Sequence, residues 1–411
     1  MCVATALIRG LSQYRSEQIG NFWVNLVRTV LRILVPLSMV VTLILLALGV
    51  VNNFHAAQDI TTIAGRHQTI LGGPVATWES IKLISGDGGG AFNANSAHPF
   101  ENPTPLTNVV EIVAMLLIPV AFIRTFGVMV GDKKQGWVLF AAAAILFVIG
   151  TAALAASDVV ANGTVIHAVG APTEGTEIRF GVPGSAVFGQ AATASADGAA
   201  NSAYDSYTSA GGAVLMLNVM LGEVAPGGPD SGLYGLLMMT LLAVFLGGLM
   251  IERTPEYLKQ RLRSRHMTLI SLYILTLPAA VLTGAAVAMA LPGGTRRHAQ
   301  HRAPRALRSA VRIHQCRGQQ RQCLRRNFRQ HYVVQHRARP RDGGRTVPAD
   351  HRRARDRRNL RGQRAGVITA GTLRTHSPTF VFLIAGATLV IVGLEYLPAL
   401  AFGPAVDALV R

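Results

Sequence analysis

The chain has 411 residues, half of them apolar and only 15% charged, with a mean hydropathy of +0.34. This composition excludes an ordinary soluble domain and favours a multi-pass membrane protein. The formal net charge is +18, but residues 293–364 contain 22 arginines and three aspartates, so the rest of the chain is close to neutral.

Six apolar runs approach the roughly 20 residues that cross a hydrocarbon core about 30 Å thick. Core helices of a large soluble protein are the alternative interpretation. The short apolar start, Met1–Leu7, is followed by polar residues; it is not a signal peptide, and we expect it to be the end of a helix that begins upstream. The predicted spans are Ile33–Val51, Val109–Val130, Val138–Ala156, Tyr234–Met250, Met267–Leu291 and Phe380–Leu400.

Charge placement predicts the topology, because short loops rich in lysine and arginine stay on the cytoplasmic side of a membrane. The intervening segments 52–106 and 157–182 have few lysines and arginines, so we expect them on the outer side of the membrane. Those residues are Arg66, Lys82 and Arg179. The basic loops are IRGLSQYR (8–15), GDKKQG (131–136) and IERTPEYLKQRLRSRH (251–266).

A glycine- and asparagine-rich stretch, GDGGGAFNANSAHPFENPTPLTN (86–108), follows a predicted short amphipathic helix, Ala76–Ile84. Irregular backbone is tolerated at membrane depth only where protein buries it or where it lines a wet cavity. Glycines let successive carbonyl oxygens face one axis and replace the hydration shell of a cation, and alkali ions prefer oxygen ligands. Asn93, Asn95 and Asn102 are expected to brace this loop or add amide oxygens. A plain outer-side turn is the alternative.

The same order recurs in GSAVFGQAATASADGAANSAYDSYTSAGG (184–212), where a short helix of small residues precedes Ser195–Gly198. This recurrence favours a pore loop over a plain turn in both units. Farther on, Pro226 and Pro229 must break a long apolar run. That break is either an intramembrane gating loop or a simple turn between two half-spans.

The arginine-rich block, residues 293–365, has no apolar periodicity and no lysine. A nucleic-acid-binding segment is one interpretation. Translation out of frame is the favoured one, because misread Ala and Gly codons often become CGN arginine codons. With suitable synonymous codons, Ile313–Asn327 in the shifted frame can encode a Gly- and Asn-rich stretch. A zinc site of His314, Cys316 and Cys323 is a weaker alternative, and no disulfide framework is expected.

Several long strings resemble the KdpA family, the potassium-binding subunits of the Kdp potassium-transporting ATPase. The resemblance covers 1–292 and about 366–411. It implies an all-α polytopic membrane protein of the Trk/Ktr/Kdp superfamily type, built from membrane-pore-membrane repeats with re-entrant pore loops. The strings are GNFWVNLVRTVLRILVPLS (20–38), GGGAFNANSAHPFENPTPLTN (88–108), GVMVGDKKQG (127–136), SGLYGLLMMTLLAVFLGGLMIERTPEYL (231–258) and TAGTLRTHSPTFVFL (369–383).

The resemblance also implies a division of the chain into repeats. Residues 1–22 are then the cytoplasmic end of a missing repeat, 23–130 the second repeat and 131–266 the third, with a broken second helix. The first helix of the fourth repeat is 267–292, the arginine-rich block is 293–365, and 366–411 contains a C-terminal transmembrane helix.

By this resemblance, potassium is the transported ligand and no cofactor is bound. The chain is not an enzyme by itself: it carries neither a phosphate-binding loop ending in Lys-Ser or Lys-Thr nor an Asp-Lys-Thr motif, so another subunit hydrolyses ATP. The implied partners are KdpB, KdpC, KdpF and membrane lipid, without nucleic acid, in the bacterial inner membrane. The implied potassium filter consists of Gly86, Asp87, Gly88, Gly89, Gly90, Asn95, Ser195, Ala196, Asp197, Gly198 and Ala199.

The sequence departs from the family pattern. Ser85-Gly86-Asp87 replaces Gly-Thr-Asn, and Asp197 replaces a small polar residue, so stronger cation attraction and weaker selectivity are expected. The family's first repeat would lie upstream of Met1 and its fourth filter within the arginine-rich block, so we expect this copy to be impaired. A stand-alone potassium channel or gradient-driven cation transporter, and a membrane-tethered nucleic-acid-binding protein, are the alternative functions.

Overall fold

The computed structural model is mainly helical. The arginine-rich block and the zinc alternative within it lie outside the described residues. The structure describes residues 1–12, 20–55, 57–159, 175–204, 206–222, 224–229, 231–252, 255–258, 260–290 and 375–402.

Two small antiparallel hairpins accompany the helices: β1 (Gln58–Thr61) pairs with β2 (His67–Ile70), and β3 (Glu256–Tyr257) pairs with β4 (Gln260–Arg261). The helices are α1 (Cys2–Ser12), α2 (Phe22–Thr29), α3 (Val35–Ala47), α4 (Val75–Ser85), α5 (Pro105–Met129), α6 (Lys133–Val159), α7 (Gly181–Ala194), α8 (Ser209–Leu221), α9 (Gly232–Met250), α10 (Ser264–Ala290) and α11 (Pro378–Phe402).

Within the described ranges, five helices are long and apolar enough to cross a membrane. They contain most of the predicted spans. The sixth prediction, Met267–Leu291, lies on α10, which is helical but is not one of the five. The five are Phe22–Ala47, Pro105–Met129, Lys133–Ser157, Gly232–Met250 and Pro378–Tyr396.

The first spanning helix begins earlier than predicted and ends before Val51. Asn21 starts it, because its Oδ1 accepts hydrogen bonds from the backbone of Trp23 at 2.9 Å and of Val24 at 3.4 Å. A π-helical segment, Val30–Leu34, joins α2 to α3. Hydropathy alone placed the start too late because the first turns carry polar side chains.

The spanning helices differ in how deeply the protein buries them. In the apolar stretch that could cross the membrane, about 72% of the residues of α9 are buried by the protein, against 11% in the helix Phe22–Ala47. Helix α9 contacts α1, α5, α10 and α11, and its leucines and methionines form the main apolar core with α1 and α6. Helix α9 is therefore central, whereas the helix Phe22–Ala47 exposes apolar side chains on nearly all sides.

Gln135 links three distant segments at one end of the bundle. Its Nε2 donates to Thr375 Oγ1 at 2.6 Å, and its Oε1 accepts from the Tyr257 hydroxyl at 3.2 Å. Beside it, His376 Nε2 lies 3.1 Å from Asp132 Oδ2. The start of α6, the β3 strand and the segment just before α11 are thus held together by one buried amide.

Two short helices lie among the long ones. Helix α4 packs against α3 and α5, and α7 packs against α5, α6 and α8. Each short helix leads into an irregular segment, as predicted from the order of the sequence. These two segments, the first loop (residues 86–104) and the second loop (residues 195–208), form the candidate site.

Candidate cation site

The first loop starts with glycines whose backbone lies in the left-handed region. Gly86 ends α4 with φ +73°, and Gly88 follows with φ +61°. Side chains other than glycine rarely adopt such angles, so the glycine-rich pattern is required by the backbone path. The loop ends where Thr104 caps α5, with Pro105 in the first turn of that helix.

The second loop turns in a similar way after α7. Ala196 has φ +53° and Gly198 has φ +89°. All of residues 195–199 are buried, whereas Gly88–Gly90 are half-buried and Asp87 is exposed. The Ser195 hydroxyl donates to the Ala191 carbonyl at 2.7 Å, so its proton is committed to the preceding helix.

The two loops contact each other through their backbones. A Cβ atom added to Gly88 would lie 2.4 Å from the carbonyl carbon of Gly198 and 2.8 Å from the carbonyl oxygen of Asp197. Only glycine fits at position 88 without moving the second loop. The structure thus brings together predicted filter residues that are more than 100 positions apart in the sequence.

Asp197 is fully buried at this contact. Its Oδ1 accepts the Ala199 backbone N–H at 3.2 Å, and its Oδ2 has no hydrogen-bond partner within the part of the chain that the structure describes. Burial raises the pKa of Asp197 well above its ordinary value, and the positive charge of Lys82 only partly opposes this. A cation near Oδ2 would compensate the carboxylate charge.

A buried ion pair stands behind the first loop. Lys82 Nζ lies 2.7 Å from Glu79 Oε2, donates to the Gly89 carbonyl at 2.7 Å and donates to Ser96 Oγ at 3.1 Å. The Ser96 hydroxyl in turn donates to Glu79 Oε1 at 2.7 Å. The ammonium group therefore has a partner for each of its three protons.

Glu101 holds the same loop from another direction. Its Oε1 accepts the Ala91 backbone N–H at 2.5 Å, and both carboxylate oxygens lie within 2.9 Å of the place where a Cβ on Gly90 would be. Burial raises the pKa of Glu101 to about 7, although Lys82 lowers it. Neither Glu79 nor Glu101 was identified from the sequence; the one available signal was a Glu and a Lys three positions apart in the helix before the glycines.

Asparagines brace the site, but the bracing runs mainly through Asn108. Its Oδ1 accepts from Asn102 Nδ2 at 3.1 Å and from Asn201 Nδ2 at 2.9 Å. Asn102 Oδ1 also accepts the Thr107 hydroxyl at 2.6 Å. The side chain of Asn108 therefore connects the two loops. Asn95 instead packs its Cα about 3.0 Å from the Cβ position of Gly90.

The break between α8 and α9, residues 222–231, lies against the ends of both short helices. The Gly227 N–H donates to the Ala194 carbonyl at 3.2 Å, and a Cβ on Gly86 would lie 2.7 Å from Pro229 Cδ. The described residues 224–228 of this break are buried. Both interpretations from the sequence, an intramembrane gating loop and a simple turn between two half-spans, stay predictions.

The chemistry of the site follows from these contacts. Among the described residues, no group of three or more His, Cys, Asp and Glu side chains is arranged to hold a metal ion. The oxygens that lie against the Cβ position of Gly88 are the backbone carbonyls of Asp197 and Gly198. Such oxygen ligands suit a weakly hydrated monovalent cation.

Comparison with known proteins gives one consistent result. The chain matches the family described as KdpA, potassium-transporting ATPase A subunit, over residues 1–310 and 358–409. It is 45% identical over 413 residues to the "Potassium-transporting ATPase potassium-binding subunit" of Mycobacterium avium, and 42% identical over 412 residues to the protein of that name in Streptomyces coelicolor. Each alignment covers 100% of this chain and 74% of the relative.

Proposed function

The chain belongs to the KdpA family of potassium-transporting ATPase subunits, and we propose that it carries potassium between its first and second loops. It is the potassium-binding subunit of such a complex and not the catalytic one. Potassium is therefore its cargo, and the free energy of transport comes from ATP hydrolysis elsewhere in the complex.

The backbone contact between Gly88 and Gly198 carries this proposal. Two loops of similar design meet there, each entered from a short helix and each using left-handed residues to turn. A filter needs carbonyl oxygens from several chain segments around one axis. In this interpretation residues 86–88 and 195–199 supply two of those segments.

The surrounding helices fit a membrane-pore-membrane arrangement. In residues 23–130, a spanning helix leads to α4, the first loop and α5; in 131–266, α6 leads to α7, the second loop and the interrupted pair α8 and α9. We assign α4 and α7 as pore helices and the two loops as re-entrant segments. The break at 222–231, of which residues 224–228 are buried, is then a gating loop on the side of the short-helix ends.

The proposed partners are the ATPase subunit KdpB with KdpC and KdpF, in the bacterial inner membrane. The two acidic positions, Asp87 and Asp197, are proposed to raise cation affinity at the expense of discrimination between cations. No observation on the described residues favours a channel or a nucleic-acid-binding protein over this function.

Potassium binding by the purified full chain tests the proposal. The chain in detergent with added lipid is titrated with potassium chloride, and with choline chloride at the same ionic strength, while its Tm is measured. Binding to the folded state raises the Tm with increasing ligand concentration. We expect potassium to raise the Tm well beyond choline; equal effects of the two salts would contradict potassium binding.

A further inference from the structure

We propose that Lys82 and Glu101 are positioning residues that set the cation selectivity of the first loop, by holding the peptide segment 89–91 at its two ends. The inference rests on the proposed function, since it assumes that this loop contacts potassium. Neither side chain needs to touch the ion. Each acts through a backbone group of the loop.

Two backbone groups of this segment, the Gly89 carbonyl and the Ala91 N–H, are hydrogen-bonded to buried side chains. Lys82 donates to the Gly89 carbonyl at 2.7 Å, and Glu101 accepts the Ala91 N–H at 2.5 Å. The two residues are 4% and 0% exposed, so water does not compete for these bonds. A carbonyl and an N–H two residues apart are thus held by the Lys82 ammonium group and by a Glu101 carboxyl oxygen, which determines how the segment is rotated.

The ammonium group is itself fixed. Glu79 and Ser96 are the acceptors for its two remaining N–H groups, and Ser96 also donates to Glu79. Every proton of the Lys82 ammonium group thus has an acceptor, and the side chain is fixed in its position beside the loop. Charge-assisted hydrogen bonds of this kind are short and strong, and their geometry is well defined.

This arrangement has a consequence for the ion. A cation that shared the Gly89 oxygen would lie within a few ångströms of the Lys82 ammonium, and repulsion between like charges is strong where water is excluded. The Gly89 carbonyl is therefore withdrawn from the cation. The Gly88 carbonyl, at the contact with the second loop, and the carbonyls before it remain as ligands for the cation.

Fixed ligand positions matter for selectivity. Cations of different size are distinguished by the number and placement of coordinating carbonyls, and a loop free to adjust accepts several of them. Removal of either hydrogen bond lets segment 89–91 rotate, and removal of the Lys82 ammonium also frees the Gly89 oxygen. Loss of the hold is therefore expected to change the ratio of potassium to sodium affinity, and not only stability.

The experiment compares apparent potassium and sodium affinities of the full chain, obtained from Tm titrations. Lys82→Met removes the ammonium group and keeps the apolar stem, and Lys134→Met on the exposed start of α6 is the matched control. Glu101→Gln retains an acceptor oxygen for Ala91. We expect the potassium-to-sodium affinity ratio to fall at least tenfold in Lys82→Met, by less in Glu101→Gln, and to stay unchanged in Lys134→Met.

Because Lys82→Met leaves Glu79 buried without its ion pair, the chain with this change is at risk of not folding. The double variant Glu79→Gln, Lys82→Met removes both charges and provides the same measurement. An unchanged ratio in either folded variant, or an equal fall in Lys134→Met, overturns the inference. A chain without substitutions that does not prefer potassium to choline contradicts the proposed function itself, and the inference with it.

Discussion

Replacement of Gly88 by alanine tests the contact between the two loops. The added Cβ would lie 2.4 Å from the Gly198 carbonyl carbon and 2.7 Å from its oxygen, so the loops must separate. The left-handed backbone at φ +61° adds a conformational penalty. Strain of about 1–2 kcal/mol and overpacking of about 1–3 kcal/mol together predict a loss of about 2–5 kcal/mol in the free energy of unfolding.

Gly65→Ala is the matched control for this change. Gly65 lies in the exposed turn between β1 and β2, has φ +76° and has no atom within 4 Å of its Cβ position, so it carries the backbone strain without the clash. Thermal unfolding of both variants, with and without potassium, separates the two contributions.

We expect Gly88→Ala to have the lower Tm of the two and to lose most of its stabilisation by potassium, because the carbonyls near Gly88 and Gly198 no longer converge. Gly65→Ala should keep that stabilisation. Equal Tm values and equal potassium responses in the two variants would refute the view that the loops meet at a shared cation site.

Further expectations concern protonation, packing and the gene. Burial raises the pKa of Glu101 from 4.5 to about 7, so its stabilising effect is complete below about pH 4.5 and is lost as the pH rises through 7; Tm measured against pH should therefore fall less in Glu101→Gln than in the unsubstituted chain, and parallel profiles would contradict this. Gln135→Ala removes the hydrogen bonds to Thr375 and Tyr257 and should cost about 1–3 kcal/mol in the free energy of unfolding, whereas Gln68→Ala on the exposed β2 strand should cost little. DNA sequencing across codons 293–365 should reveal shifts of the reading frame near both ends of the block; an uninterrupted frame, with the same arginine-rich block in close relatives, would show that the block is genuine.

Much of the local structure was predictable. The short helix over Ala76–Ile84 is present as α4, and the glycines after it adopt left-handed angles at Gly86 and Gly88. Both features depend on neighbours in the sequence: apolar periodicity sets the helix, and the loss of the Cβ permits the turn. The same reasoning located the helix break at Pro226, since proline removes a backbone donor.

The partners of the charged side chains were not predictable. Lys82 counted in the sequence only as a rare positive charge in an outer segment, yet the structure pairs it with Glu79 and the Gly89 carbonyl. The role of Asn108, which connects Asn102 to Asn201, was not predictable because this residue lies at the start of an apolar helix. These contacts join segments that no local pattern relates.

Sequence patterns suffice to assign the membrane class, most of the spanning helices and the places where glycine and proline interrupt them, and the long motif strings identify the family. The membrane class, the helices and their interruptions follow from apolar length and backbone freedom, which are local properties. Three contacts are visible only in the folded chain: Gly88 lies against Gly198, Pro229 lies against Gly86, and Lys82 and Glu101 bond the two ends of segment 89–91. Such contacts depend on how helices pack, because a buried charge is stable only where folding brings its partner within reach.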